Sequence, residues 1–547
     1  MMRKIFFLLS LSFFIILNSE EFLDLDELKI GMKGYCKTVF HGTDIDTFEV
    51  QIIDIMRDSN MEMILVKCSG ENVEKTGVAA GMSGSPVYFN NKLAGSLSYT
   101  WDNLKEPVGG VTPIKRIVGI KDYDNLKKKN DFDLKEISLP IVLFGFSNEI
   151  ISFGESLKIF PKNSIIAGGN NLNLKENGKS QLLPGKAIAI KLLEGDFEAS
   201  AIGTVTYVDE DNIYSLGHPF TLKGEVDFPV SEAYIYTILP KNDISFKMGF
   251  SFKDNAGKAI QDRTFGVLAK SKERSEMVKV KMKINQFNYN FSIVKDKDIV
   301  SNYIPLTFLS AVSKNFKSGG DLSIKYKIDV FGNNKKSFEY KNMFSGENIM
   351  FQIFFDLSGL LQAYTNNVYK SVKIDSLNIE SEIVEQNLSF MIDDLLSDKK
   401  YYKSGENLHL TIKLKGYDQK MLTKEIDLKI PENIKEDSLM ITVNGGGDDL
   451  YFESSRSSGK FDFKDVETLE NIIDQINPSN SLVIRVISFE KGFIDNNLEF
   501  FNYPSSFVKE QLLMGKKQVN GNNIVVKKYS SDFVIKGSKS IVIKLWR

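Results

Sequence analysis

Cysteine, histidine and tryptophan are all scarce in this chain of 547 residues, at two, three and two respectively. Two cysteines cannot build a disulfide framework, and with three scattered histidines they form no cluster of zinc-like ligand spacing. Cys36 and Cys68 both lie in the N-terminal region, where one disulfide and two buried thiols are equally open to them. Charge of one sign is also lacking. With 69 lysines and arginines against 71 aspartates and glutamates, the formal charge is -2. Nothing supplies the basic excess by which nucleic-acid binders hold phosphates, so no nucleic-acid partner is expected, and no cofactor or metal is implied. After the first residues there is no apolar run long enough to cross a bilayer of roughly 30 Å.

The chain opens MMRKIFFLLSLSFFIILNSEEF, with Arg3 and Lys4 ahead of an apolar run over 5–17 and small polar residues before Glu20. This is the layout of a secretory signal peptide. It predicts export to the periplasm, cell envelope or exterior, with cleavage near Ser19. No cysteine follows the run, which disfavours a lipoprotein anchor.

The length suggests about three to four domains of the usual roughly 100 to 200 residues. TFEVQIIDI alternates Phe48, Val50 and Ile52 toward one face, and MILVKC and PVYF are short apolar runs between turn residues, all of which read as strands. VTPIKRIVGI reads as a helix start with Thr112 as N-cap and Pro113 in its first position, and the charged stretch 121–136 as a surface connection. From about 138 to 309, KAIAIKLL, AIGTVTYV, AYIYTIL and VKVKMKI point to a β-barrel or sandwich. NIMFQIFFDLSGLLQAY reads as a buried helix and SVKIDSLNIESEIV as strand. ENLHLTIKLKG suits an immunoglobulin-like sandwich. Near the C-terminus Val466, Leu469, Ile472, Ile473 and Ile476 fall at helical spacing before Pro478, and SLVIRVISF follows as a strand. The expected class is mostly β.

Chemistry concentrates in GMSGSP, residues 81–86. Glycine and serine clusters serve as turn punctuation, but this spacing can also project the Ser83 hydroxyl while the amides of Gly81 and Ser83 converge on one point. Such donors can contribute roughly 3 to 4 kcal/mol each to an oxyanion. A serine becomes a nucleophile only when a base takes its proton. Of the three histidines, His218 in NIYSLGHPF ends an apolar strand between Gly217 and Pro219, where a turn would present it. His41 lies in TVFHGT before a Gly-Thr turn, and His409 alternates with leucines and so faces the polar side of its strand.

Taken together, LKIGMKGYCKTVFHGTDIDTFEVQIIDI, GVAAGMSGSPVYFNNKLAGSLSYTW, PVGGVTPI, GTVTYVDEDNIYSLGHPF, VDFPVSEAYIYTILP and AIQDRTFGVLAK resemble the SpoIVB-type peptidase family, named after the stage IV B sporulation serine peptidase. The resemblance covers roughly residues 27–275 and implies a two-barrel, chymotrypsin-like serine peptidase domain. Carried over, Ser83 matches the nucleophile and His218 the base, with the Gly81 and Ser83 amides as oxyanion hole, while His41 matches a position that needs no histidine. The acid that orients the base would be Asp262 in QDRTFGVL, with Asp227 in GEVDFPV as the alternative. Here the serine precedes the histidine, the reverse of the sporulation peptidase, and no region reads as that protein's PDZ domain. The resulting expectation is a signal peptide at 1–19, a serine-bearing half at 20–125 and a histidine-bearing half at 126–320. A β-rich region with an Ig-like sandwich would follow at 321–435 and an α/β accessory domain at 436–547. The implied activity is a serine endopeptidase acting on protein or peptide substrates, with a cell-envelope partner held by the C-terminal domains. The alternative is a non-catalytic cell-envelope binding protein that keeps the peptidase fold.

Overall fold

The structure, a computed structural model, describes residues 21–57, 62–122, 139–160, 165–166, 181–316, 321–333, 335–432 and 434–546. The signal-peptide segment and most of the charged stretch 121–136 lie outside the described residues. Strand accounts for 50% and helix for 19%, so the chain is mostly β. Its residues form two compact units, one of 1–142, 173–190 and 201–274, the other of 143–172, 191–200 and 275–547. The division falls within the expected histidine-bearing half.

Six strands of the first unit close into a barrel: β1 Lys33–Thr38, β2 Asp46–Arg57, β3 Glu62–Ser69, β4 Ser85–Phe89, β5 Lys92–Tyr99 and β6 Val108–Pro113, in the order β1-β2-β3-β6-β5-β4. Alternation along β2 turns Phe48, Val50 and Ile52 inward, and a bulge between Ile52 and Asp54 ends the pattern. These side chains meet Cys36, Ile64, Val66, Val87, Leu97 and Val111 in one core. Each fully buried aliphatic side chain there contributes about 1.5 to 3 kcal/mol relative to exposure. The β4–β5 hairpin turns on Asn90 and Asn91, both at positive φ, a conformation that asparagine tolerates and the right-handed twist of a two-residue hairpin requires. The expected helix start moves by one residue. Thr112 and Pro113 finish β6, paired with Ser96 and Gly95, and the helix runs Ile114–Val118.

A second ring follows: β7 Ala187–Gly195, β8 Glu198–Asp209, β9 Asn212–Ser215, β10 Gly224–Leu239, β12 Gly257–Arg263 and β13 Gly266–Lys270. These pair as β7-β10-β12-β13-β9-β8, and β8 returns to β7. β11, Phe246–Ser251, adds to β10. The tip of the β7–β8 hairpin, 191–200, is counted with the second unit.

In the second unit a sheet in the order 335–345, 323–332, 376–384, 277–284, 287–294 accompanies the helices Lys297–Asn315 and Ile349–Thr365, which pack on each other. Further along, a four-stranded sheet containing Asn407–Gly416 and a six-stranded sheet containing Ser438–Gly445 and Ser481–Asp495 share one core of Leu408, Ile412, Leu414, Ile441, Val443 and Ile484. The helix expected before Pro478 runs Val466–Gln475. Among the described residues no helix is long and apolar enough to cross a membrane.

Candidate active site

The segment that precedes β4 is shaped by short local bonds. Met82 N donates to Ala79 O at 3.0 Å, Ser85 N to Met82 O at 2.9 Å, and Gly84 N to Leu97 O at 2.9 Å. Gly84 sits at φ +100, and a Cβ there would stand 1.8 Å from Thr204 O, so only glycine lets the loop lie against β8. Across that contact Thr204 N donates to Ser83 O at 2.8 Å and Thr206 Oγ1 to Gly84 O at 2.8 Å. Among the described residues, the amides of Gly81 and Ser83 donate no hydrogen bond.

Ser83 is fully buried, and its hydroxyl donates to the Leu216 carbonyl at 2.7 Å. Leu216 and Gly217 both lie in the left-handed region, at φ +72 and +70, and lead directly into His218. Thr112 Oγ1 fixes the turn by donating to Gly217 O at 2.8 Å. The GMSGSP loop and the LGHPF turn are therefore packed on each other, 133 residues apart in sequence.

His218 is buried as well, and its Nδ1 lies 2.7 Å from Pro219 O. A carbonyl only accepts, so Nδ1 carries the proton and, in the neutral ring, Nε2 carries the lone pair. That is the tautomer a general base needs. The main chain supplies it here. Asp262, fully buried on β12, does not meet the imidazole as expected. Its carboxylate accepts from Phe220 N at 2.8 Å, Thr221 N at 2.6 Å and Thr221 Oγ1 at 2.6 Å. It braces the turn two and three residues beyond His218, because converging N–H groups satisfy a buried carboxylate better than one ring N–H. Asp227 falls where β10 bulges against β12, between Glu225 and Phe228. His41 is exposed with its ring beside Tyr234, and His409 is exposed on a strand of the other unit, against Asp427. Among the described residues His41 makes no hydrogen bond to Ser83.

Lys247, Thr38 and Thr204, absent from the sequence reading, lie under the serine loop. Lys247 Nζ donates to Thr38 Oγ1 at 2.8 Å and to Thr204 Oγ1 at 3.3 Å, and Lys247 is fully buried. Burial lowers its pKa from the usual lysine value to about 7, against a raising influence from Cys36. The alternation of SFKMGF, which turns Lys247 and Gly249 inward, is the signal that could have found it. Cys36 and Cys68 are both free and buried. Burial pushes the Cys68 thiol up to about 12 and the Cys36 thiol well above its ordinary value, so neither is a ready thiolate. Among the described residues no group of three or more His, Cys, Asp or Glu side chains converges to hold a metal ion. Comparison of the chain with protein-family models, with curated proteins and with solved structures finds no match in any of the three.

Proposed function

We propose that the chain is an exported serine endopeptidase of the two-barrel type, captured in a closed, latent arrangement. The observation that carries this reading is the bond from the Ser83 hydroxyl to the carbonyl of Leu216, two residues before His218. In the reaction, Leu216 O gives way to substrate and Ser83 Oγ attacks the peptide carbonyl while its proton passes to His218 Nε2. The Gly81 and Ser83 amides receive the oxyanion. His218 then protonates the leaving amine, and water repeats the sequence to release the acid and regenerate the serine. Pro219 O holds the imidazole tautomer and Asp262 the turn that bears it. The β-rich second unit, with its proposed Ig-like and α/β portions, would engage a cell-envelope partner or present substrate.

A second reading, a binding protein that keeps the fold without turnover, is favoured by one observation. Ser83 has no exposed surface and gives its proton to a carbonyl, which is no base. A fluorophosphonate probe on the full chain separates the two. Labelling that Ser83→Ala and His218→Ala abolish is expected, and an unlabelled wild type over prolonged incubation leaves the binding reading.

A further inference from the structure

Among the described residues, no carboxylate pairs with the buried Lys247 amine. Its carbon stem crosses the face of Gly81, with Cβ, Cγ and Cδ 3.1 to 3.2 Å from where a side chain at 81 would begin. Its backbone is tied to the same loop: Lys247 N donates to Ala80 O at 2.9 Å, and Ala80 N to Ser245 O at 2.7 Å. The amine then reaches both ends of the serine loop through one hydroxyl each. Thr204 Oγ1, which it touches, donates to Gly81 O at 3.0 Å. Thr38 Oγ1, its closer partner, accepts from Ser85 Oγ at 3.0 Å. Cys36 on β1 is the titratable group that acts on it, with Cys68 of β3 acting in turn on Cys36.

A neutral amine has two N–H groups, and two hydroxyl acceptors face this one. A third proton would bring a charge that no carboxylate balances in an apolar barrel. We propose that Lys247 is the positioning residue of the serine loop, holding residues 81–85 through Thr38 and Thr204 in the turn that presents Ser83 and the two free amides. The loop is then firm above neutral pH and loosens when the amine takes up its proton. The proposal rests on the peptidase reading only for its catalytic consequence.

Two measurements on the full chain test it. Hydrogen exchange of the 81–85 amides is compared between wild type and Lys247→Met at pH 8, and lysine 13Cε resonances are followed from pH 6 to 8. Expected are exchange faster by about tenfold or more in the variant, confined to that segment, and one lysine signal that titrates near pH 7 and is lost in Lys247→Met. The proposal is overturned if either effect is missing. Should Lys247→Met not fold, Thr38→Val, which cuts the amine from the Ser85 end at nearly constant volume, must give the same rise in exchange. A wild type that resists the fluorophosphonate yet shows both effects refutes the peptidase reading and leaves this one standing.

Discussion

Replacing Gly84 by alanine tests whether the serine loop rests on β8 as closely as the fold demands. The new methyl would lie 1.8 Å from Thr204 O and 2.7 Å from Leu216 N, and reaching the 3.0 Å floor of real Cβ contacts needs a shift of about 1.2 Å. That shift stretches Thr204 N to Ser83 O, Thr206 Oγ1 to Gly84 O and Ser83 Oγ to Leu216 O beyond hydrogen-bond length. Each buried partner left unpaired costs about 1 to 3 kcal/mol, and alanine at positive φ adds about 1 to 2 kcal/mol. The expected loss is about 4 to 11 kcal/mol, much of a typical domain stability of about 5 to 15 kcal/mol. In calorimetry the first unit should melt lower by about 10 °C or more, at about 2 to 4 °C per kcal/mol for a domain of this size. Gly77→Ala is the control, since Gly77 also has positive φ, +67, but has nothing within 4 Å. It should lose only the conformational share. If the two variants melt together, the close approach of loop to barrel is refuted.

Stability should carry the signature of Lys247. Its folded-state pKa, about 7, lies below the 10.5 of an exposed lysine, so the unfolded chain binds its proton more tightly between those values. The penalty, up to about 5 kcal/mol, is complete below pH 7 and lifts as pH rises toward 10.5. Urea titrations should show wild type gaining on Lys247→Met across that window, and a pH-independent gap refutes the assignment. In the second unit Arg485 grips Asp449 through two bonds of 2.7 Å, with both side chains buried. Arg485→Met should therefore cost about 3 to 5 kcal/mol, and Arg485→Met with Asp449→Leu should recover most of it. An unchanged urea midpoint in the single variant counts against this. Asp262→Asn leaves an amide facing Thr221 N–H, so a loss of about 1 to 3 kcal/mol is expected, with faster exchange at Phe220 and Thr221. Unaltered exchange there would contradict the bracing role.

The strands were legible because alternation is a one-dimensional signal: Phe48, Val50 and Ile52 in β2, and Leu408, Leu410, Ile412 and Leu414 in their strand, are buried as their spacing requires. The two glycine-rich motifs were also legible, since a turn that must lie against another backbone admits few residue types. The bracing role of Asp262 was not legible because its partners, the main-chain N–H groups of Phe220 and Thr221 and the Thr221 hydroxyl, carry no sequence signal. Lys247 was missed for the opposite reason. A lysine in a strand ordinarily marks the wet face, and the hydroxyls of Thr38 and Thr204, brought in from other strands, make its burial tolerable.

On the peptidase reading, the bond that closes the site also orders the turn that bears the histidine, and this sets the energy of opening. Leu216, a bulky residue at φ +72, carries about 1 to 2 kcal/mol of backbone strain. Its carbonyl gains Ser83 Oγ and its amide gains Thr204 O at 3.3 Å, each contributing about 0.5 to 1.5 kcal/mol net. Strain and bonding thus nearly cancel. If Leu216 relaxes to negative φ, the carbonyl leaves Ser83, and the lost bonds are offset by the strain released. On the peptidase reading, a peptide carbonyl that takes the place of Leu216 O need supply little binding energy to expose the serine, while Asp262 keeps residues 220 and 221 in place beyond the histidine. The closed arrangement is on these terms a latch with a shallow well.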